Sequence, residues 1–160
     1  MAKEQIKKLL NKAYFYLYLR PRSEKEMVDY LKKKAEIYHA TDADVQQVIQ
    51  ELRNQNYLDD DAFITSFVRY RTSIKPKGEY ALRMELLQKG ISENKIHSYF
   101  EENTLEEDVL AKDALKKVWS RYKNLEPLKQ KKRAIDFLSR RGFSFDTAKK
   151  AFEELKNNTD

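Results

Sequence analysis

Leu86-Leu87-Gln88-Lys89-Gly90-Ile91-Ser92 and Phe137-Leu138-Ser139-Arg140-Arg141-Gly142-Phe143-Ser144 follow one plan: an apolar pair, a basic residue, a Gly, an apolar residue and a Ser. Four residues after each Ser a new apolar stripe opens, with Ile96, Tyr99 and Phe100 after Ser92 and Ala148, Ala151 and Phe152 after Ser144. A looser copy lies upstream in Leu31, Lys34 and Ala35, followed by Thr41, Val45, Val48 and Ile49. Thr41 precedes Ser92 by 51 residues, and Ser92 precedes Ser144 by 52. A fixed period of this size predicts stacked copies of one supersecondary unit, and stacking gives an extended surface suited to an elongated partner.

The 160 residues contain only three Gly and three Pro, too few for the many turns of a sandwich or barrel. Good helix formers dominate, so the expected fold class is all-α. The absence of Cys excludes disulfides, thiolate metal sites and a cysteine nucleophile, and it fits a cytoplasmic home. No apolar run reaches the roughly 20 residues that span a bilayer, and Ala13 to Leu19 is too short and tyrosine-rich for a signal peptide.

Periodicity and capping residues place nine helices in three trios, predicted over residues 1–56, 57–103 and 104–160. Ile6, Leu9, Leu10, Ala13 and Leu17 mark a helix over 4–19. Ser23-Glu24-Lys25-Glu26 reads as a capping box for a second helix ending near Ala35, followed by a loop over 36–41. Thr41 caps a third helix. In the second trio Asp59 caps a helix carrying Phe63, Phe67 and Tyr70, with Asp60 and Asp61 placed where the helix dipole favours negative charge; capping outweighs a metal reading of the three aspartates. Pro76-Lys77-Gly78 breaks the chain before a helix with Tyr80, Leu82, Leu86 and Leu87, which Gly90 ends, and Ser92 caps the next. The third trio comprises a helix over 105–121 with Val109 on its apolar stripe, a helix begun by Pro127 and ended by Gly142, and a last helix begun by Ser144 or Asp146.

Charge alternates with the repeat. Residues 1–35 carry +6, 36–63 carry −6, 69–89 carry +4, 90–111 carry −5 and 112–141 carry +8, within a total of +6. Stacked in register, the basic parts merge into a stripe, an electrostatic footprint for polyanions. No phosphate-binding Gly loop, nucleophile elbow or zinc-binding His pair is present, and His39 and His97 stand alone. No constellation commits the chain to catalysis, and no cofactor is expected.

Leu17-Tyr18-Leu19-Arg20-Pro21-Arg22-Ser23-Glu24-Lys25-Glu26-Met27 resembles the opening motif of the RecX family, bacterial regulators of the RecA recombinase. Asn56-Tyr57-Leu58-Asp59-Asp60-Asp61-Ala62-Phe63 is similar to the family's Gly-Tyr-Leu-Asp-Asp motif, with Asn56 in place of the Gly, and Ile64 stands where the family has Ala. Lys77-Gly78 with Leu86 and Lys89-Gly90-Ile91 resembles its middle repeat, and Arg141-Gly142-Phe143 its closing motif. The resemblance covers residues 13–155. It implies three tandem three-helix, helix-turn-helix-like repeats in an elongated, curved array. It further implies a non-enzymatic negative modulator, monomeric, that lodges in the groove of the RecA filament on DNA and suppresses ATP hydrolysis, strand exchange and the co-protease activity behind the SOS response.

The residues expected to meet RecA or non-specific single- or double-stranded DNA are Arg20 and Arg22 in the first trio, Arg69, Arg71, Lys75, Lys77 and Arg83 in the second, and Lys129, Lys131, Lys132, Arg133, Arg140 and Arg141 in the third. Tyr18 and Tyr70 lie beside arginines; core packing is the simpler reading and stacking on bases the other. The alternative function is a stand-alone DNA-binding protein of helix-turn-helix-like units. Its third helices read as poor in base-reading Arg, Lys, Asn and Gln.

Overall fold

The computed structural model describes residues 2–159. Among these there are nine α-helices and no strand: α1 (Ala2–Leu19), α2 (Glu24–Tyr38), α3 (Asp42–Asn54), α4 (Asp60–Ile74), α5 (Glu79–Gln88), α6 (Glu93–Glu102), α7 (Glu107–Val118), α8 (Pro127–Arg140) and α9 (Phe145–Thr159). The fold is the all-α array of tandem three-helix repeats that the sequence predicts.

The starts follow the capping residues. Thr41 Oγ1 accepts from the Asp44 amide at 3.1 Å while Asp44 Oδ2 accepts from the Thr41 amide at 2.9 Å, a complete capping box. Asp59 Oδ1 accepts from the Asp61 and Ala62 amides, and Ser144 Oγ from Thr147, so Ser144 is the cap of α9. The box predicted at Ser23 is half made. Ser23 Oγ accepts from the Glu26 amide at 3.2 Å, but the Glu26 carboxylate turns to three cations instead of reaching back.

Two ends differ from the reading. Helix α2 continues to Tyr38 because His39 adopts the left-handed conformation at φ 55° that stops a helix, so the predicted loop shrinks to Ala40 and Thr41 around that residue. Helix α7 begins at Glu107 and tightens into a 3-10 turn over Trp119–Arg121. Asn56 takes φ 62°, the conformation for which Asn substitutes for Gly, and Ile64 is accepted in the core at 1% exposure.

The chain forms two compact units: one up to Ser66 together with Leu86–Lys95, the other Phe67–Glu85 together with Ile96 onward. In the first, α1, α2 and α3 pack on one another around Leu9, Ala13, Met27, Leu31, Val45, Val48, Ile49 and Leu52. In the second, α7, α8 and α9 pack around Ala111, Leu115, Ala134, Leu138, Phe143, Ala148 and Phe152, with Trp119 tilted on Phe152. The middle trio is divided between them. Ile64, Leu86 and Ile91 bury with the first unit, and Val68, Leu82, Ile96 and Phe100 with the second. A trio of short helices buries too little apolar surface to offset its own conformational entropy, so neighbours share it.

Candidate polyanion-binding surface

Each unit contains one junction in which a middle helix meets the turn of the next repeat. In the first unit the α2 start receives the α5–α6 turn: Ser23 Oγ donates to the Lys89 carbonyl at 2.6 Å, and the Glu24 amide donates to Asp60 Oδ1 at 2.9 Å. In the second unit the α5 start receives the α8–α9 turn: the Gly78 amide donates to the Arg141 carbonyl at 2.7 Å, and the Glu79 amide donates to Glu107 Oε1 at 2.7 Å. A Cβ on Gly78 would overlap the Gly142 carbonyl, so backbone approaches backbone there. Burial raises the pKa of Asp60, with neighbouring Glu24 and Asp59 adding to the rise against the lowering by the Glu24 amide and Lys95.

These junctions engage six of the thirteen cations expected at the functional surface. The Glu26 carboxylate meets Arg20 at 2.7 Å, Arg22 at 3.7 Å and Lys89 at 3.4 Å. The Arg22 side chain is 9% exposed; its guanidinium lies 3.6 Å over the Tyr16 ring and donates to the Tyr16 carbonyl, and Tyr16 stacks on Tyr30. In α5, Glu85 binds Lys77 and also Arg71, whose Nε lies 3.0 Å from Oε2 without aiming its N–H at the oxygen. Arg83 donates to Glu79 at 3.0 Å and covers the Phe100 ring. Arg141 donates to the Pro76 carbonyl at 3.3 Å and covers Phe137, and burial lowers its pKa. The Arg-x-Arg-Ser motif is thus an architectural clasp.

The other seven side chains make no ion pair among the described residues. Arg69 and Lys75 are exposed in and just after α4, Lys129, Lys132, Arg133 and Arg140 are exposed on α8, and Lys131 is half-buried there. Helix α8 turns Gln130, Ala134 and Leu138 inward. The same 3.6-residue period therefore sends Lys129, Lys132, Arg133 and Arg140 outward on one face, interrupted by Asp136. Exposed Lys116, Arg121 and Lys123, also in the third trio, were outside the predicted set; the +8 excess of residues 112–141 was their signal.

Several aromatic and apolar side chains depart from the core reading. Tyr18 is 86% exposed and Tyr70 57%, so neither is core. Tyr80 and Val109, expected on buried stripes, are exposed as well. Tyr80 lies two residues from Leu82, on the opposite side of a helix whose Leu82–Leu86 stripe faces in, which the spacing already implied. The three aspartates diverge: Asp59 caps α4, Asp60 receives the Glu24 amide and Asp61 pairs with Lys95 at 3.1 Å. Among the described residues no helix is long and apolar enough to cross a membrane.

Comparison with known proteins gives one consistent result. Residues 59–98 match the family model described as RecX, second three-helix domain, and residues 106–152 match RecX, third three-helix domain; together they cover more than half of the chain. The chain is 32% identical to the regulatory protein RecX of Bacillus velezensis and 29% to that of Streptococcus agalactiae, alignments covering 98% and 96% of the chain. It spans 59% and 60% of the lengths of those relatives. It superposes on a crystal structure of regulatory protein RecX with a TM-score of 0.73 at 28% identity, covering 98% of this chain and 73% of that one. The RecX structure from Lactobacillus salivarius gives a TM-score of 0.75 at 23% identity, covering 96% and 98%, a likeness of fold.

Proposed function

Because the chain belongs to the RecX family, we propose that it is a non-enzymatic negative modulator of the RecA recombinase. The three repeats, 1–56, 57–103 and 104–160, serve as one binding body in the groove of the RecA filament on DNA. Bound there, they hold neighbouring protomers and slow ATP hydrolysis, strand exchange and the co-protease activity behind the SOS response. The observation that carries this reading is the outward face of α8, where Lys129, Lys132, Arg133 and Arg140 make no ion pair among the described residues and outnumber the one acid there, Asp136. Unpaired surface cations keep their field for a partner, whereas cations clasped to Glu26 or Glu85 have spent it.

The test is RecA's DNA-dependent ATPase with increasing amounts of this protein. Stoichiometric inhibition is expected; full ATPase activity at excess protein would refute the reading.

The stand-alone DNA-reading alternative gains less. Helix α6 exposes Glu93, Glu101 and Glu102, which repel a phosphate backbone. Helix α3 is richer in amides than the reading allowed, exposing Gln46, Gln47, Gln50 and Asn54, but Gln50 bonds Asn54 and Arg53 is bound by Glu24. A discrete footprint on duplex DNA would favour that alternative.

A further inference from the structure

Helix α1 is apolar on two sides of its second half. Ala13 and Leu17 turn toward the core of the first unit, whereas Phe15, Tyr18 and Leu19 face solvent at 59%, 86% and 59% exposure. Residues three and four apart share a helix face, so these three form one apolar ridge. Tyr57, 57% exposed, extends it from the α3–α4 connection. Its ring meets that of Tyr14 edge-on, 5.8 Å between centroids, and the Tyr14 hydroxyl donates to Gln55 at 2.9 Å. These contacts order two of the rings before any partner arrives, which lowers the cost of binding. An aromatic side chain buries about 150–250 Å², so at these exposures the four rings offer roughly 500 Å². Two such faces together reach about 1,000 Å², the lower bound for a specific interface.

Charge selects the occupant. Ala13 to Leu19 includes no charged side chain, and Arg20 next to them is held by Glu26 at 2.7 Å. Exposed Lys7 and Lys8 lie earlier on the same face, with Lys8 paired to Glu4 at 3.4 Å. When two α1 helices cross antiparallel about the Phe15–Tyr18 midpoint, each Lys8 lies about 13 Å from the crossing, on opposite sides, at 1.5 Å per residue. The two ammonium groups then stand about 25 Å apart, about three screening lengths at physiological salt. Uncharged aromatic centres meet while the cations part, so the face is complementary to itself.

We propose that α1 is a self-association face: two copies pair through Phe15, Tyr18 and Leu19 with their α1 helices antiparallel, an isologous contact. This departs from the monomer that the family resemblance implies. The face belongs to the first unit and α8 to the second. Its failure therefore leaves the modulator reading standing, and a failed ATPase test leaves the dimer standing.

The experiment is sedimentation equilibrium of the whole chain, from low micromolar concentration to a few hundred micromolar. A rise from one chain mass to two is expected. Phe15→Ser/Tyr18→Ser, at exposed positions, should need at least about tenfold more protein to dimerise, as loss of aromatic anchors at an interface centre does. Tyr80→Ser, the control at an exposed aromatic on α5, should change nothing. The chain has no Cys, so single cysteines report the geometry. Under mild oxidation Tyr18→Cys should cross-link two copies near the two-fold axis and Lys8→Cys should not, since a disulfide needs Cα atoms within about 7 Å. One chain mass at every concentration would overturn the proposal, whether or not the protein then sediments with phosphatidylglycerol vesicles through this face. So would a double variant that dimerises like the unmodified chain, equal weakening by Tyr80→Ser, or cross-linking of Lys8→Cys as fast as Tyr18→Cys.

Discussion

The backbone amide of Glu79 donates to the carboxylate of Glu107, 28 residues downstream, at 2.7 Å. An acid at the start of one repeat thereby caps the middle helix of the repeat before it. The Glu24 amide and Asp60, at 2.9 Å, make the same arrangement one repeat earlier. A free helix N-terminus carries unsatisfied amides and partial positive charge, so a carboxylate delivered from the neighbour both satisfies a donor and joins the repeats.

Replacing Glu107 by Ala strands the Glu79 amide. We expect a loss of about 1–2 kcal/mol in urea unfolding, the range for losing a helix-capping acceptor. Glu107→Gln keeps an acceptor oxygen and should recover most of it. Equal losses in both variants would mean that the carboxylate's charge, and not the hydrogen bond, holds the junction.

Asp60 responds to pH in the unusual direction for an acid. Burial raises its folded-state pKa above the unfolded value, so the folded state binds the proton more tightly. Stability contributed by this group is therefore lost as pH rises from the unfolded pKa through the raised folded one. Asp60→Asn keeps an acceptor for the Glu24 amide without the charge. It should equal or exceed the unmodified protein in melting temperature at pH 7, with the difference closing on acidification. An Asn variant as unstable at pH 7 as Asp60→Ala would contradict this.

Glu26→Gln leaves Arg20, Arg22 and Lys89 facing a neutral group, with the Arg22 side chain 9% exposed. A loss of about 2–3 kcal/mol is expected, below the cost of breaking a fully buried pair because Arg20 and Lys89 retain water. Chemical denaturation measures it, and added salt should narrow the gap.

Gly90 and Gly142 both sit at positive φ, 80° and 88°, but against different neighbours. A Cβ on Gly90 meets the flexible Lys25 side chain, and one on Gly142 meets the Cβ and backbone of Ala81 in helix α5. Gly90→Ala should cost about 1–2 kcal/mol from the left-handed backbone alone. Gly142→Ala should cost about 1–3 kcal/mol more, since packed backbone cannot step aside. Matching urea midpoints would rule out the close approach.

The α8 triple variant Lys129→Gln/Lys132→Gln/Arg133→Gln should lose most of its inhibition of RecA ATPase while its stability stays within about 0.5 kcal/mol, as exposed, unpaired side chains allow. Undiminished inhibition would move the functional contact away from α8.

The helices were legible because their signals are local. Thr41 with Asp44, Asp59 with Ala62, and Ser144 with Thr147 lie within one turn of each other, and the Gly90 and Gly142 stops are single residues. Apolar period and capping chemistry marked the nine helices of the described residues, with differences at ends such as Tyr38 and Glu107 and at exposed stripe positions such as Tyr80 and Val109. Which cations face solvent was not legible. The partners that claim them lie far along the chain or depend on which way a helix turns: Arg141 meets the Pro76 carbonyl 65 residues away, and the Lys89 ammonium meets Glu26 of the preceding repeat. Sequence counts charge but does not record its pairing. Only in the folded chain do Glu26 and Glu85 meet their cations, Lys89 reaching Glu26 from the next repeat, and the face of α8 keeps cations that no such acid claims.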